Sequence, residues 1–250
     1  MSVAEAPPAL AVEALVAGYE PDLPIVKGID ASIGQGDFVA ILGPNGAGKS
    51  TFVKAIAGLV PIHAGAVTLA GKPITGIAAH LLVRAGLAFV PQTENIFASL
   101  TIDENLKLCA GVLPAGRRSE RIAAMYDLFP DLAARPTTAA GALSGGQRQM
   151  LATARALLVE PTVIILDEPS AGLSPKLVGE VFETLARVNG LGVTIVLVEQ
   201  NVRAALGVAR TALVLADGRI VHRGPAKGLA EDPRLGEMFL GHHAAAGETA

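Results

Sequence analysis

A chain of 250 residues, 51% of them hydrophobic and 17% charged, can bury a full-sized core, which excludes a disordered polymer. A net charge of −3 without a long basic run argues against nonspecific nucleic-acid binding. Apolar runs such as Val193-Thr194-Ile195-Val196-Leu197-Val198 stop far short of the ~20 residues that span a bilayer. The N-terminus lacks a basic segment leading into an apolar one, so a cytoplasmic globular protein is expected. Cys109, the single cysteine, can form no internal disulfide and is expected to be a small core residue.

Residues 1–10 and 244–250, rich in Ala, Pro and Glu, read as flexible tails around one domain over 11–243. The clearest strands are 37–42, 65–70, 87–90, 162–166, 193–198 and 211–215, mostly continuous apolar runs separated by helical patterns. Such runs suggest a sheet buried on both faces, hence α/β architecture. The first runs into Gly43-Pro44-Asn45-Gly46-Ala47-Gly48-Lys49-Ser50-Thr51, which fits the phosphate-loop pattern G-x-x-x-x-G-K-[ST] and opens a helix. Glycines let backbone N–H groups converge on phosphate oxygens, and the helix N-terminus adds partial positive charge. Lys49 would reach the β- and γ-phosphates of ATP, Ser50 would ligate Mg²⁺, and Thr51 would bond the α-phosphate.

From about 93 to 160 the chain reads as an inserted helical subdomain. Thr101 with Glu104, and Ser144 with Gln147, each fit a capping box. Ser174-Pro175 and Asp232-Pro233 pair an N-cap with proline at the first helical position. A phosphate loop also needs a second, carboxylate-bearing strand beside it, and Val163-Ile164-Ile165-Leu166-Asp167-Glu168 supplies one. Asp167 would hold the magnesium, and Glu168 would polarise the attacking water as general base. Adjacent carboxylates at a strand end could equally begin a solvated turn; the phosphate loop favours the chemical reading. Asp217-Gly218 between two apolar runs is a hairpin signal.

Leu143-Ser144-Gly145-Gly146-Gln147 resembles the signature of the ATP-binding cassette family, and the resemblance covers about residues 11–240. It implies a phosphate-loop ATPase core with a β-rich N-terminal part and the inserted helical subdomain. Ser144, Gly145, Gly146 and Gln147 would then face the γ-phosphate bound by a second subunit. Tyr19 would stack on adenine, with core packing as its rival. Gln92 would sense Mg²⁺ and the attacking water, and Ala171-Gly172-Leu173-Ser174 would cross the dimer interface. Two positions depart from the pattern. Ser174 replaces the usual Asp of the interface loop, and Gln200 stands where the switch histidine belongs. Glutamine can donate to a γ-phosphate but carries no charge, which sets Gln200 apart as a catalytic residue.

"PSAGLSP", "LVEQN", "SLTIDENL" and "EMFLG" resemble the smaller ATPase subunit of branched-chain amino-acid importers. That subgroup implies a second ATPase subunit, two membrane permeases and an extracytoplasmic solute-binding protein. The ATPase would lie on the cytoplasmic face of the membrane. Urea or short-amide import is the neighbouring alternative, and a soluble cassette ATPase uncoupled from transport is another. Phe97, on an apolar loop beside Gln92, is expected to face the permease or to lie in the core of the lobe.

Overall fold

Apolar runs become strands here because neighbours on both faces cover them. The computed structural model describes residues 6–93 and 95–232. It begins with β1 (Leu10–Ala17), β2 (Val26–Ile33), β3 (Phe38–Leu42) and α1 (Lys49–Ile56). Next come β4 (Ile62–Leu69), β5 (Lys72–Pro73), α2 (Ala79–Ala85) and β6 (Leu87–Val90). Helices then follow one another: α3 (Ile102–Ala110), α4 (Ala115–Leu128), the short α5 (Pro130–Ala133) and α6 (Gly145–Leu157). Alternation resumes with β7 (Val163–Asp167), α7 (Pro175–Gly190), β8 (Thr194–Val198) and α8 (Val202–Val208). The hairpin β9 (Thr211–Ala216) and β10 (Arg219–Pro225) and the short α9 (Ala226–Ala230) complete the described elements.

The strands form two sheets, an antiparallel one in the order β2-β1-β4-β5 and a larger one in the order β10-β9-β3-β8-β7-β6. In the larger sheet β9, β3, β8, β7 and β6 are parallel, and only β10 runs antiparallel. Phe38, Ala40 and Leu42 of β3 enter one core with α3, α6 and α7, while Val39 and Ile41 enter the other with β1, β2 and α1. Alternate residues of one strand thus serve two cores, which is why the pattern reads as continuous rather than alternating. Each fully buried Leu or Ile contributes on the order of 1.5–3 kcal/mol of burial free energy.

The predicted strands all form, β4 starting earlier than expected at Ile62. Both capping boxes are present, at Thr101/Glu104 and Ser144/Gln147. Ser174 and Pro175 start α7 as expected, although the Ser174 hydroxyl makes no cap bond. Asp217 (φ 46°) and Gly218 (φ 74°) turn the hairpin, the left-handed pair that a two-residue turn of this kind requires.

Two expectations need correcting, those for the N-terminal tail and for Cys109. The N-terminal tail is shorter than residues 1–10, since Ala9 and Leu10 are buried and Ala9 O accepts a bond from Ala70 N. β8 runs between β7 and β3, yet the end of β7 lies beside the phosphate loop as expected. Cys109 is only half-buried, with its Sγ 3.2 Å from Arg155 Nε, so it lies at the margin of the core. Tyr19 is 62% exposed and is no core residue. The helix start at Asp232-Pro233, the "EMFLG" stretch and the tail 244–250 lie outside the described residues, apart from Asp232 itself.

Candidate functional site

β3 ends at Leu42 and α1 begins at Lys49, so residues 43–48 make the whole turn. Gly43 has φ 147°, and a Cβ there would stand 2.1 Å from Leu215 O on β9. Only glycine lets the loop leave the sheet this close to its neighbour. Gly48 is the N-cap of α1 at φ 94°. The hairpin turn props the loop from below, with Gly218 N donating to Ala47 O at 3.0 Å. A Cβ at Gly218 would meet Ile25 O at 2.0 Å, so this turn is wedged between the phosphate loop and the β1–β2 connection.

Ile25, Asn45, Gly46, Ala47, Gly48, Lys49, Ser50, Thr51 and Glu168 line a cavity of about 220 Å³. Lys49 is 4% exposed, and its Nζ donates to Gly43 O at 2.9 Å and Pro44 O at 3.0 Å. Burial pulls its ammonium pKa down, while Glu168, Asp167 and Glu199 push it back up. The cation is thus buried, and its hydrogen bonds go to neutral carbonyls. Anionic phosphate oxygens would be better partners.

Although β8 separates β7 from β3, the two chain ends meet. Ser50 Oγ donates to Asp167 Oδ1 at 2.9 Å. Burial raises the Asp167 carboxyl above its ordinary range, and the Ser50 hydrogen bond opposes that shift. A hydroxyl and a carboxylate side by side, next to a phosphate cavity, are the oxygen donors Mg²⁺ takes when nucleotide phosphates supply the rest. The residues therefore fit the metal. No cluster of three or more His, Cys, Asp or Glu side chains suited to a metal occurs among the described residues.

Glu168 follows at φ 51°, a left-handed conformation that costs a non-glycine residue about 1–2 kcal/mol. It is 9% exposed, and both of its oxygens accept amide donors. Gln92 Nε2 donates to its Oε2 at 3.0 Å, and Gln200 Nε2 approaches Oε1 at 2.8 Å and Oε2 at 2.7 Å. The two glutamines and the carboxylate identified in the sequence thus converge on one point.

Three groups of predicted site residues lie elsewhere. Ser144, Gly145, Gly146 and Gln147 open α6 and line no part of the cavity around Lys49. Their glycines pack closely: a Cβ on Gly145 would be 2.7 Å from Leu173 Cδ2, and one on Gly146 2.9 Å from Leu177 Cδ2, so a larger residue would make either leucine shift. Gly43 and Pro44 support the loop from behind rather than lining the cavity. Tyr19 is exposed and outside the lining, whereas Ile25, from the same β1–β2 connection, is in it.

The loop after Gln92 is tied to the helical elements. Asn95 Nδ2 donates to Pro91 O at 3.3 Å and Gln149 Oε1 at 3.1 Å. Arg155 bonds Asn95 O, and its guanidinium lies 4.6 Å from the Phe97 ring centroid. A cavity of about 320 Å³ opens beside this loop, bordered by Pro91, Asn95, Cys109, Val112, Ala152 and Arg155 among others.

Sequence reasoning missed Glu199 and Ile25. Glu199 is 1% exposed and accepts from Ser170 N and Oγ and from Gln200 N. Its place at the end of an apolar strand was the available signal; an acid there must find donors.

A family profile described as ABC transporter matches residues 26–171. The probable branched-chain amino acid transport ATP-binding protein LivF of Archaeoglobus fulgidus is 43% identical over 228 residues, covering 91% of this chain and 96% of that protein. The high-affinity branched-chain amino acid transport ATP-binding protein BraG of Pseudomonas aeruginosa is 34% identical, covering 90% and 97%. The lipopolysaccharide export system ATP-binding protein LptB of Escherichia coli is 30% identical, covering 87% and 91%. Among solved structures, a nucleotide-free ATP-binding cassette from an ABC transporter superposes with TM-score 0.83 at 26% identity, covering 92% of this chain and 98% of that one.

Proposed function

This chain belongs to the ABC transporter family and is an ATPase, and we propose that it drives an importer of branched-chain or other hydrophobic amino acids. The observation that carries this reading is the near full-length identity of 43% to a probable branched-chain amino acid transport ATP-binding protein. In this proposal the chain pairs with a second ATPase subunit beneath two membrane permeases, fed by an extracytoplasmic solute-binding protein. Nucleic acid plays no part. Among the described residues no helix is long and apolar enough to cross a membrane, which suits a peripheral subunit on the cytoplasmic face. The domain would span about 11–243. Its helical subdomain, about 93–160, would meet the permease at the cavity beside Pro91 and Asn95.

The proposed chemistry follows from the bonds already made. ATP phosphates entering the cavity replace Gly43 O and Pro44 O as partners of Lys49. Backbone of Asn45, Gly46, Ala47 and Gly48 wraps them, Thr51 reaches the α-phosphate, and Tyr19 covers the adenine. Ser50 and Asp167 would hold Mg²⁺, which would supply positive charge against the phosphates. Glu168 would take the proton from water, and the Gln92 and Gln200 amides on its oxygens hold the carboxylate in place until nucleotide enters. With nucleotide bound, the Gln92 amide would be available to the attacking water and Mg²⁺, and that of Gln200 to the γ-phosphate. Ser144, Gly145, Gly146 and Gln147 of the second subunit close the sandwich.

Affinity capture of the tagged chain followed by reconstitution tests the proposal. Recovery of hydrophobic permeases and ATP-dependent uptake of radiolabelled leucine are expected. Uptake of urea instead would move the chain to the amide importers. Recovery of nucleic acid or of no membrane protein would remove it from transport.

A further inference from the structure

We infer that Glu199 is a positioning residue for hydrolysis, a buried carboxylate that locks the turn carrying Glu168 to the loop carrying Gln200. Three loops leave the same edge of the large sheet, after β3, β7 and β8, and Glu199 begins the third, bonds the second and pairs with strand β3 just before the first. Its backbone N donates to Ile41 O at 3.2 Å, extending the pairing between β8 and the phosphate-loop strand. Its side chain reaches the β7 loop, where Oε1 accepts Ser170 N at 2.9 Å and Oε2 accepts Ser170 Oγ at 2.8 Å. The same Oε2 accepts Gln200 N at 3.1 Å and Asn201 N at 3.4 Å.

Such a carboxylate is expensive to bury, and among the described residues no Lys, Arg or His lies within ion-pair distance of it. Its compensation comes from four neutral donors on two loops, an arrangement that only an ionised acceptor can satisfy. A glutamine there would aim a donor at a donor. What those bonds fix is informative. Ser170 lies two residues beyond Glu168, whose left-handed backbone needs an external restraint. On the other side, Glu199 fixes the peptide N–H of the very residue whose side chain reaches both Glu168 oxygens. Glu199 touches neither the cavity around Lys49 nor the reacting atoms. Its contacts run to Gln200 and Ser170, and its link to Lys49 is a long-range charge effect smaller than those of Glu168 and Asp167, so it should influence turnover far more than nucleotide affinity.

This inference rests on Glu168 and Gln200 serving hydrolysis as proposed above. The test measures steady-state phosphate release, MgATP affinity and melting temperature for the full chain. The variants are Glu199→Gln, Ser170→Ala, Gln200→Ala, the double Glu199→Gln/Gln200→Ala, and Glu168→Gln as a control. Glu199→Gln should lower kcat about ten-fold or more with the KM for MgATP within about two-fold. In the Gln200→Ala background the same change should cost less than about two-fold further, because the residue it positions is gone. Ser170→Ala, which deletes only one donor, should lower kcat a few-fold, and that loss guards the inference should Glu199→Gln fail to fold. A kcat for Glu199→Gln or Gln200→Ala equal to the parent's, or fully multiplicative losses in the double variant, would overturn it. Turnover by Glu168→Gln at the parental rate would overturn the underlying site assignment instead, and this inference with it.

Discussion

The turn after β3 and the turn after β7 solve one problem in opposite ways. Both carry a strand end sharply to the cavity around Lys49, and both use left-handed backbone. After β3 the conformation belongs to glycines, at φ 147°, 80° and 94° for Gly43, Gly46 and Gly48, and is nearly free of strain. After β7 it belongs to Glu168, at φ 51°, and is held by bonds from elsewhere: Glu168 N to Val198 O, the two glutamine amides, and Glu199 on Ser170. A loop that must wrap phosphate with its backbone can be made of glycine. A loop that must deliver a carboxylate cannot, so its shape is imposed by neighbours.

The largest effect should come from the delivered carboxylate. Glu168→Gln should lower kcat by about 10²–10⁴-fold with MgATP affinity retained, leaving a closed ATP-bound dimer visible by size-exclusion chromatography. Lys49→Ala attacks the other turn and should weaken ATP binding about a hundred-fold, the equivalent of losing charge-assisted bonds worth roughly 1.5–3 kcal/mol, as read by nucleotide titration. Unchanged affinity would mean that the glycine turn binds phosphate by backbone alone.

Gln200 should rank third. Gln200→Ala should slow hydrolysis about ten-fold, and Gln200→His should raise it, since a chargeable donor to the γ-phosphate exceeds a neutral one. Phosphate release at saturating ATP decides. Smaller still is the strain itself. Glu168→Gly should be more stable than Glu168→Ala by about 1 kcal/mol, the reverse of the ordinary order, because only glycine tolerates φ 51° without cost. Denaturant titration of the two inactive variants isolates this difference from chemistry.

The smallest effect is a dependence on pH. Burial raises the carboxyls of Asp167 and Glu199, so the folded chain holds those protons more tightly than the unfolded one. Stability from these two groups is complete below the unfolded carboxylate range and is lost as pH rises through their higher folded values. Exposed Glu104 and Asp217 are shifted down and act in the opposite sense. The difference between parent and Asp167→Asn is therefore the cleaner measure. Without nucleotide, Asp167→Asn should gain melting temperature relative to the parent as pH is raised from mildly acidic to neutral.

Legibility in the sequence follows the same division. Gly43 through Thr51 declared their conformation, because glycine spacing encodes backbone shape locally. Asp167, Glu168, Gln92 and Gln200 were legible as residue types, yet their meeting at one carboxylate depends on strand order. Nothing local reveals that β8 lies between β3 and β7. The roles of Ile25 and Glu199 were invisible for the same reason, since each is defined by partners far along the chain. Tyr19 was legible as an aromatic at a turn, but its exposure was not, because the β1–β2 connection is placed by tertiary packing.

The position of the hairpin turn bears on how the protein is made. β3 emerges early from the ribosome with its phosphate loop attached, but both of its neighbours in the sheet, β8 and β9, are translated much later. The loop also waits for Gly218, whose N–H bonds Ala47 O and whose carbonyl accepts Lys27 N. A nascent chain stalled before Thr211 therefore carries the complete nucleotide motif without the surroundings that shape it. Capture of ATP should mark release of a nearly finished chain rather than the synthesis of its first quarter.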